Sequence, residues 1–335
     1  FGWVDFMKMV GPLFQEKGKA IYCNPLYRRI DLYENIDGYY DEMGYGDCHS
    51  ISICSFLALD KPYVGWTWGL PARVPLHEYF QRYLYLGAYL TAPMPFNNHT
   101  IKPGVADQMY VDYGQLFESL RFRKWNLEER PIQVEGAKAN CFEIPGGLLI
   151  PVVLGGNNEA ATLTVKSKNP VMAGPHFVEI LHPGEIEWKP LVDHPLQAGG
   201  VLRVPLRQGC AMVRIVHTKL TPSAKAFMKS ATVEVKSALP SIKVFKREKL
   251  GNAWIGLEEI KAPLLLTKTS HLQFAVRDAR GKLLEIFEKE WVRCSPPSPA
   301  IIPEKGMIFK EKNVEIRVPS WAKDPTVRYT LDGSE

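Results

Sequence analysis

The hydrophobic period of this chain changes once, near Trp125, and that change constrains its fold more than any motif does. Before Trp125, helical spacing alternates with short, dense apolar runs. Val4, Met7, Val10 and Phe14 share one helical face, and Gly18 stands where such a helix would stop. The run KAIYCN (19–24) reads as a strand closed by Pro25, residues 31–35 as a short helix, and 38–41 as a second strand. A helix over 51–59, a third strand over 62–68 (PYVGWTW) and an amphipathic helix over 76–89 follow. Strands spaced by helices predict βαβ units and a parallel sheet. The pattern fits the C-terminal part of a TIM (β/α)8 barrel, with 19–24, 38–41 and 62–68 as strands six, seven and eight. An open doubly wound sheet is the structural competitor, but no glycine-rich phosphate loop accompanies these strands.

The segment TAPMPFNNHTIKPG, starting at Thr91, reads as an ordered loop. Residues 106–124 are then helical, with Met109, Tyr113, Leu116, Phe117 and Leu120 on one side. Beyond Trp125 the period is two. IQVEG, ANCFEI, GLLIPVVLG, ATLTVKS, HFVEIL, GEIEWKPL, GVLRVPL and AMVRIVH are short strands divided by Gly, Pro and Asn. They predict an antiparallel β-sandwich ending near His217, with 218–225 as a linker. A weak repeat follows: FMKSATVEV from Phe227 is echoed by FKEKNVEI from Phe309, and a Pro-rich spacer, CSPPSPAIIPEKG, separates the copies. The expected plan is multidomain. Residues 1–125 would form the barrel portion, 126–218 an all-β sandwich, 226–294 a small Ig-like β-sandwich, and 300–335 the start of a second.

A net charge of +5 with basic residues scattered among acids does not suggest nucleic acid as a partner. No apolar run is long enough to span a bilayer. The six cysteines form no CxxC pair, and Cys48-His49 with Cys54 sits in a segment read as a buried helix, so core thiols are expected and neither a metal nor a cofactor is. The chain begins with Phe1 and stops at Glu335 in mid-pattern, which reads as a piece of a longer polypeptide.

The most informative stretch for chemistry is IDGYYDEMGYG (36–46), in which Asp41 and Glu42 follow a short apolar and aromatic run. Two acids at the end of a buried strand need partners or a task, since unpaired buried charge is costly. A loop start paired with Arg28 or Arg29 is the bland alternative. Trp66 and Trp68 end the third strand; alternation lets one of them face a pocket while the other packs. Asn24 is placed to bond a ligand or to form an Asx turn ahead of Pro25. Tyr45, just past the acids, and the cluster Asn97, Asn98 and His99 are further substrate-binding candidates. For that cluster, hydrogen bonds to its own loop are the competing role, and His49 reads as structural.

Two resemblances add to this. VRYTLDGSE (327–335) resembles the strand and turn of the chitobiase/β-hexosaminidase C-terminal-type domain, a small β-sandwich appended to secreted bacterial carbohydrate-active enzymes. The earlier copy departs from it, with Lys246-Arg247-Glu248 where that turn would stand, while KAPLLLTKTSHLQFAV (261–276) keeps the family's look. The first 217 residues resemble the end of a bacterial glycoside-hydrolase TIM barrel with its C-terminal β-sandwich. IDGYYDE, KPYVGWTWG, LYLGAYLTAPMPFNNHTI and DYGQLFESLRFRKW carry the likeness.

The resemblance implies a glycoside hydrolase acting on a poly- or oligosaccharide in a secreted, periplasmic or cell-surface setting. Similarity to clan A glycosidases, with the nucleophile after strand seven, implies that role for Glu42, or else Asp41, and puts the acid/base upstream. Adjacent strand residues point to opposite faces, so the two are not themselves a retaining pair, whose carboxyls stand about 5–5.5 Å apart. The clan D alternative needs an acid after strand six, where Cys23-Asn24-Pro25 offers none. A non-catalytic carbohydrate-binding or scaffold protein is the alternative function, and a barrel enzyme acting on another substrate is a third.

Overall fold

A computed structural model describes residues 2–23, 30–41, 49–65, 74–90, 107–169, 172–192, 200–223, 226–294, 300–302 and 315–317. Strands dominate, with twenty-four of them against four α-helices among the described residues. The helices are α1 (Trp3–Glu16), α2 (His49–Leu57), α3 (Leu76–Leu86) and α4 (Asp107–Glu118), and a 3-10 helix spans Ile30–Asn35.

Between the helices lie β1 (Tyr22–Cys23), β2 (Gly38–Asp41), β3 (Tyr63–Gly65) and β4 (Tyr89–Leu90), parallel and in that order across one sheet. The expectation of a TIM-barrel portion is therefore wrong. The described residues form an open four-stranded sheet and several separate sheets beyond it, with no barrel, so the molecule is β-rich. The βα alternation is local and compatible with either form. Closure needs a full set of tilted strands with a fixed stagger, and strands of two to four residues do not provide one. The strand β4 also falls beside the end of the predicted helix 76–89. That helix stops at Leu86 because Gly87 turns left-handed at φ +63°, and the N–H groups of Gly87 and Ala88 return to Leu84 and Tyr83 at 3.0 Å each. A Cβ on Gly87 would stand 2.7 Å from the Phe142 ring, so glycine also permits the close approach of the next layer.

That layer is the β-sandwich. Its larger sheet contains β5 (Lys124–Trp125), β7 (Lys138–Ala139), β8 (Phe142–Ile144), β9 (Gly147–Val153), β11 (Phe177–Leu181), β12 (Lys189–Pro190) and β14 (Ala211–Val216). Its order is β12-β11-β14-β9-β8-β5, with β7 also on β9. The smaller sheet is β13-β10-β6, from Val201–Pro205, Ala160–Val165 and Ile132–Glu135. Leu148, Ile150 and Val152 of β9 face Leu163, Leu202 and Val204 of the smaller sheet in one core. Leu149 and Val153, on the other face, join Phe80, Tyr83 and Leu116 of the helical layer in a second core. All seven residues of β9 are therefore buried, and each Leu or Ile there contributes about 1.5–3 kcal/mol of transfer energy.

Buried polar side chains pin these layers together. Gln81 of α3 donates to the Gln208 carbonyl at 2.7 Å and the Tyr113 hydroxyl at 3.0 Å, and accepts from the Leu154 N–H at 2.7 Å. Arg123 donates to three carbonyls, Gly87 at 2.9 Å, Lys61 at 3.3 Å and Leu59. It thereby caps the ends of α2 and α3 at once. Burial lowers its pKa to about 10, against the favourable influence of Tyr89 and Asp60.

The segment expected as a linker after His217 is a strand, β15 (Thr218–Thr221), paired antiparallel with β17 (Ala231–Ser237). Its Leu220 packs on the next core, which explains why the chain stays extended here. One sheet of this unit is β15-β17-β20, with β20 at Leu264–Leu266. The other is β16-β22-β21-β18-β19, from Ala226–Phe227, Leu283–Arg293, Ser270–Arg277, Lys243–Leu250 and Ala253–Glu259. Val233, Leu266, Leu272, Phe274 and Trp291 meet between them. Two further strands, β23 (Ala300–Ile302) and β24 (Glu315–Arg317), pair antiparallel; VRYTLDGSE lies outside the described residues.

No helix among the described residues is long and apolar enough to cross a membrane. Cys54, Cys141 and Cys210 are buried free thiols, and burial raises the pKa of Cys141 to about 12. Cys23 is half-buried and Cys294 exposed.

Candidate functional site

The parallel sheet has two unlike edges. At its amino edge, polar groups are spent on structure. Asp37, just before β2, accepts from the Ile21 N–H at 2.8 Å. Lys61, before β3, donates to the Tyr33 and Ile36 carbonyls and lies 4.3 Å over the Tyr33 ring. Tyr33 in turn donates to Asp60, and burial followed by that contact pushes its pKa up to about 12. Beneath Lys61, the Arg123 guanidinium fixes the Leu59 and Lys61 carbonyls.

The carboxyl edge is where ligands settle in open parallel sheets. Register places Cys23 beside Tyr39, Asp41 beside Gly65, and Gly65 beside Leu90. The last residues of β2, β3 and β4 therefore lie side by side, and β1 ends two residues short of them, beside Tyr39. Asp41 is itself the last residue of β2, and its backbone is described while its side chain is not. Glu42, Asn24, Tyr45, Trp66, Trp68 and His99 lie outside the described residues. In the sequence, Asn24 follows β1 directly, Glu42 follows β2 and Trp66 follows β3. The assignment of Glu42 to the position after a seventh barrel strand falls with the barrel. What the structure provides is the common edge from which those segments leave.

Sequence reasoning missed a second polar concentration, a cleft of about 170 Å³ between the end of α4, the sandwich and the unit after it. Glu179 and Arg214, opposite each other on β11 and β14, pair at 2.7 Å, and Lys219 joins Glu179 at 3.3 Å. Arg214 also lies 4.4 Å over the Trp188 ring. The signal was a charged residue within each of two buried strands, HFVEIL and AMVRIVH. Glu285 of β22 enters the same cleft, and its Oε2 has no hydrogen-bond partner among the described residues. Burial raises its pKa to about 8, with the Thr218 hydroxyl acting the other way. Its carboxyl rests on the β8–β9 turn, where a Cβ on Gly146 (φ +72°) would stand 2.2 Å from its carboxyl carbon. Of the cations here, Arg214 and Lys219 share Glu179, and Lys289 donates to the Ser223 carbonyl at 2.9 Å.

No group of three or more His, Cys, Asp or Glu among the described residues is arranged to hold a metal ion. No protein-family model matches the chain, and a search of the curated proteins returns no match.

Proposed function

We propose that this chain is a carbohydrate-active protein of bacterial, secreted or surface type, with a glycoside-hydrolysing site at the carboxyl edge of its parallel sheet. The observation that supports it is the strand register, which sets the ends of β2 and β3 beside one another, with β1 ending two residues short of them beside Tyr39. The residues that come next in sequence are an amide (Asn24), a carboxylate pair (Asp41 and Glu42) and an indole (Trp66). Those are the groups that glycoside hydrolysis requires. A carboxyl group transfers a proton or attacks the anomeric carbon, amide and carboxylate hold hydroxyls, and an aromatic face supports the apolar side of the ring. Glu42 supplies one working carboxyl group and Asp41 orients it or holds a hydroxyl. The carboxyl group opposite comes from elsewhere, because neighbours on a strand diverge. The small two-sheet unit 226–294 and the strands after it are read as appended chitobiase C-terminal-type modules.

The test is hydrolysis of a panel of aryl glycosides and oligosaccharides by the full-length protein, as wild type, Glu42→Gln, Asp41→Asn and Trp66→Ala. Glu42→Gln is expected to lower kcat at least about a hundredfold with an unchanged melting temperature. Azide restoring turnover to Glu42→Gln as a glycosyl azide marks Glu42 as the nucleophile. Near-normal kcat in both carboxylate variants overturns the site. Saccharide binding without turnover selects the non-catalytic binding protein instead.

A further inference from the structure

The five-stranded sheet β16-β22-β21-β18-β19 uses only one of its faces for the core. Leu272, Phe274 and Val276 of β21, with Phe287 and Trp291 of β22, point inward to the three-stranded sheet. The alternate residues point outward, and among the described residues nothing in that core covers them. Trp254 lies on this outward side, partly exposed, opposite Lys249 on the neighbouring strand. Arg247 stands 5.3 Å and Lys249 5.8 Å from its ring centroid, and the His271 ring meets it edge-on at 5.2 Å.

The side chains around the indole are held by one another. Arg247 Nε donates to Gln273 Oε1 at 2.7 Å, and His271 Nε2 lies 2.9 Å from Glu288 Oε2. Exposed Ile286 lies on the same face farther from the indole, on β22 opposite Ala275. The result is an outward face that carries a partly exposed indole, with Arg247 and Lys249 at its ring and hydrogen-bonded donors and acceptors beside it.

We propose that this outward face is a saccharide-binding surface centred on Trp254, taking a neutral polysaccharide. A sugar ring has an apolar C–H face for the indole, and its hydroxyls both donate and accept. They match a rim in which Arg247 and His271 stand beside Gln273 and Glu288. Charges of both signs at the rim favour a neutral chain over a polyanion. Glu288 and Glu290 would repel the phosphates of a nucleic acid or the carboxylates of an acidic polysaccharide, although an indole also stacks on bases. The ligand class rests on the function proposed above, whereas the surface is separate from the carboxyl edge of the parallel sheet.

The experiment measures affinity of the full chain for soluble neutral polysaccharides, acidic polysaccharides and a single-stranded oligonucleotide, using affinity electrophoresis and calorimetry. Trp254→Ala is expected to weaken neutral-polysaccharide binding at least about tenfold, and Trp254→Phe to retain most of it, because the ring survives. Gln273→Ala, a change on the outward face, carries the test if Trp254→Ala does not fold. Binding that Trp66→Ala removes and Trp254→Ala leaves intact overturns this surface and leaves the carboxyl-edge site standing. Tighter binding of the oligonucleotide or of an acidic polysaccharide overturns it as well. Absence of neutral-polysaccharide binding by the wild type also overturns it, while aryl glycoside hydrolysis decides the other site independently.

Discussion

The strands β9 and β21 are both central in their sheets, yet they are buried in different ways. GLLIPVV in β9 is buried at every position, whereas SHLQFAVR in β21 alternates between buried and half-buried. The first lies in a middle layer, with a sheet on one side and helices on the other. The second has a partner on one side only. A two-sided strand is committed to structure along its whole length, and a one-sided strand keeps every second side chain for the outside. In this molecule that places interlocking in the first two-thirds of the chain and open surface in the unit that follows.

The largest expected effect comes from breaking the interlocked region at its polar pin. Arg123→Met removes the guanidinium from the buried Gly87 carbonyl and from the part-buried Leu59 and Lys61 carbonyls, of which Leu59 keeps the Trp125 N–H, and is expected to destabilise the first two layers by about 4 kcal/mol. Urea unfolding followed by domain-resolved hydrogen exchange is the measurement. Protection in β21 and β22 is expected to persist when that in α3 and β9 is lost. Simultaneous loss in both would show that the two regions do not fold separately, and the comparison would collapse.

Leu148→Ala and Leu149→Ala sharpen the same contrast. Each removes a side chain from a different face of β9, and each is expected to cost about 3 kcal/mol. In a one-sided strand, one of two adjacent substitutions would be almost silent. A near-zero result for either would mean that one face of β9 is not packed.

The uneven legibility of the sequence has the same origin. The unbroken apolar run of β9 signals a strand, and its lack of alternation signals burial on both faces. The βα alternation before Trp125 gives elements of the right kind, but barrel closure is a property of strand number and stagger that no local window contains. Tyr89 and Leu90 continue a helical spacing and so conceal β4, although Gly87 marks the boundary. Thr218–Thr221 precedes a proline and reads as a spacer, while its pairing with β17 depends on residues further along. Arg123 has no local signature at all, since its partners are backbone carbonyls 36 to 64 residues away. For the proposed site, the carboxylate pair at Asp41 and Glu42 stands out by residue type, and the structure contributes only the backbone position of Asp41, beside Gly65 at the end of β3.

Where the two regions meet, Glu285 makes stability depend on pH. Its folded pKa of about 8 lies above the usual carboxylate value of 4.5, because burial disfavours the charged form. The folded state therefore keeps a proton that the unfolded chain gives up. Stability from this group is complete below the unfolded pKa and is lost as pH rises through the folded one. A decline of about 2 kcal/mol between pH 6 and 8 is expected from this group alone. Glu285→Gln keeps the shape without the titration, so its unfolding free energy should be flatter over that window. An unchanged slope would place the carboxyl in water and the seam open.

The smallest effect is expected at Gln273, which therefore tests the one-sided strand most directly. Its neighbours Leu272 and Phe274 are buried, at 3% and 0% exposure, whereas Gln273 is half-buried on the outward face. Its amide oxygen accepts from Arg247 Nε, and Arg247 also stands over Trp254, so the guanidinium keeps a partner and gains water when the amide is removed. Gln273→Ala is thus expected to change stability by less than about 0.5 kcal/mol, against about 3 kcal/mol for Leu272→Ala one position away. Paired urea titrations of the two variants measure the difference. A loss above about 1 kcal/mol for Gln273→Ala would mean that something packs on this face, and β21 would then resemble β9. A neutral result leaves the face free, so that any loss of polysaccharide affinity in the same variant reflects the surface itself and not a weakened fold.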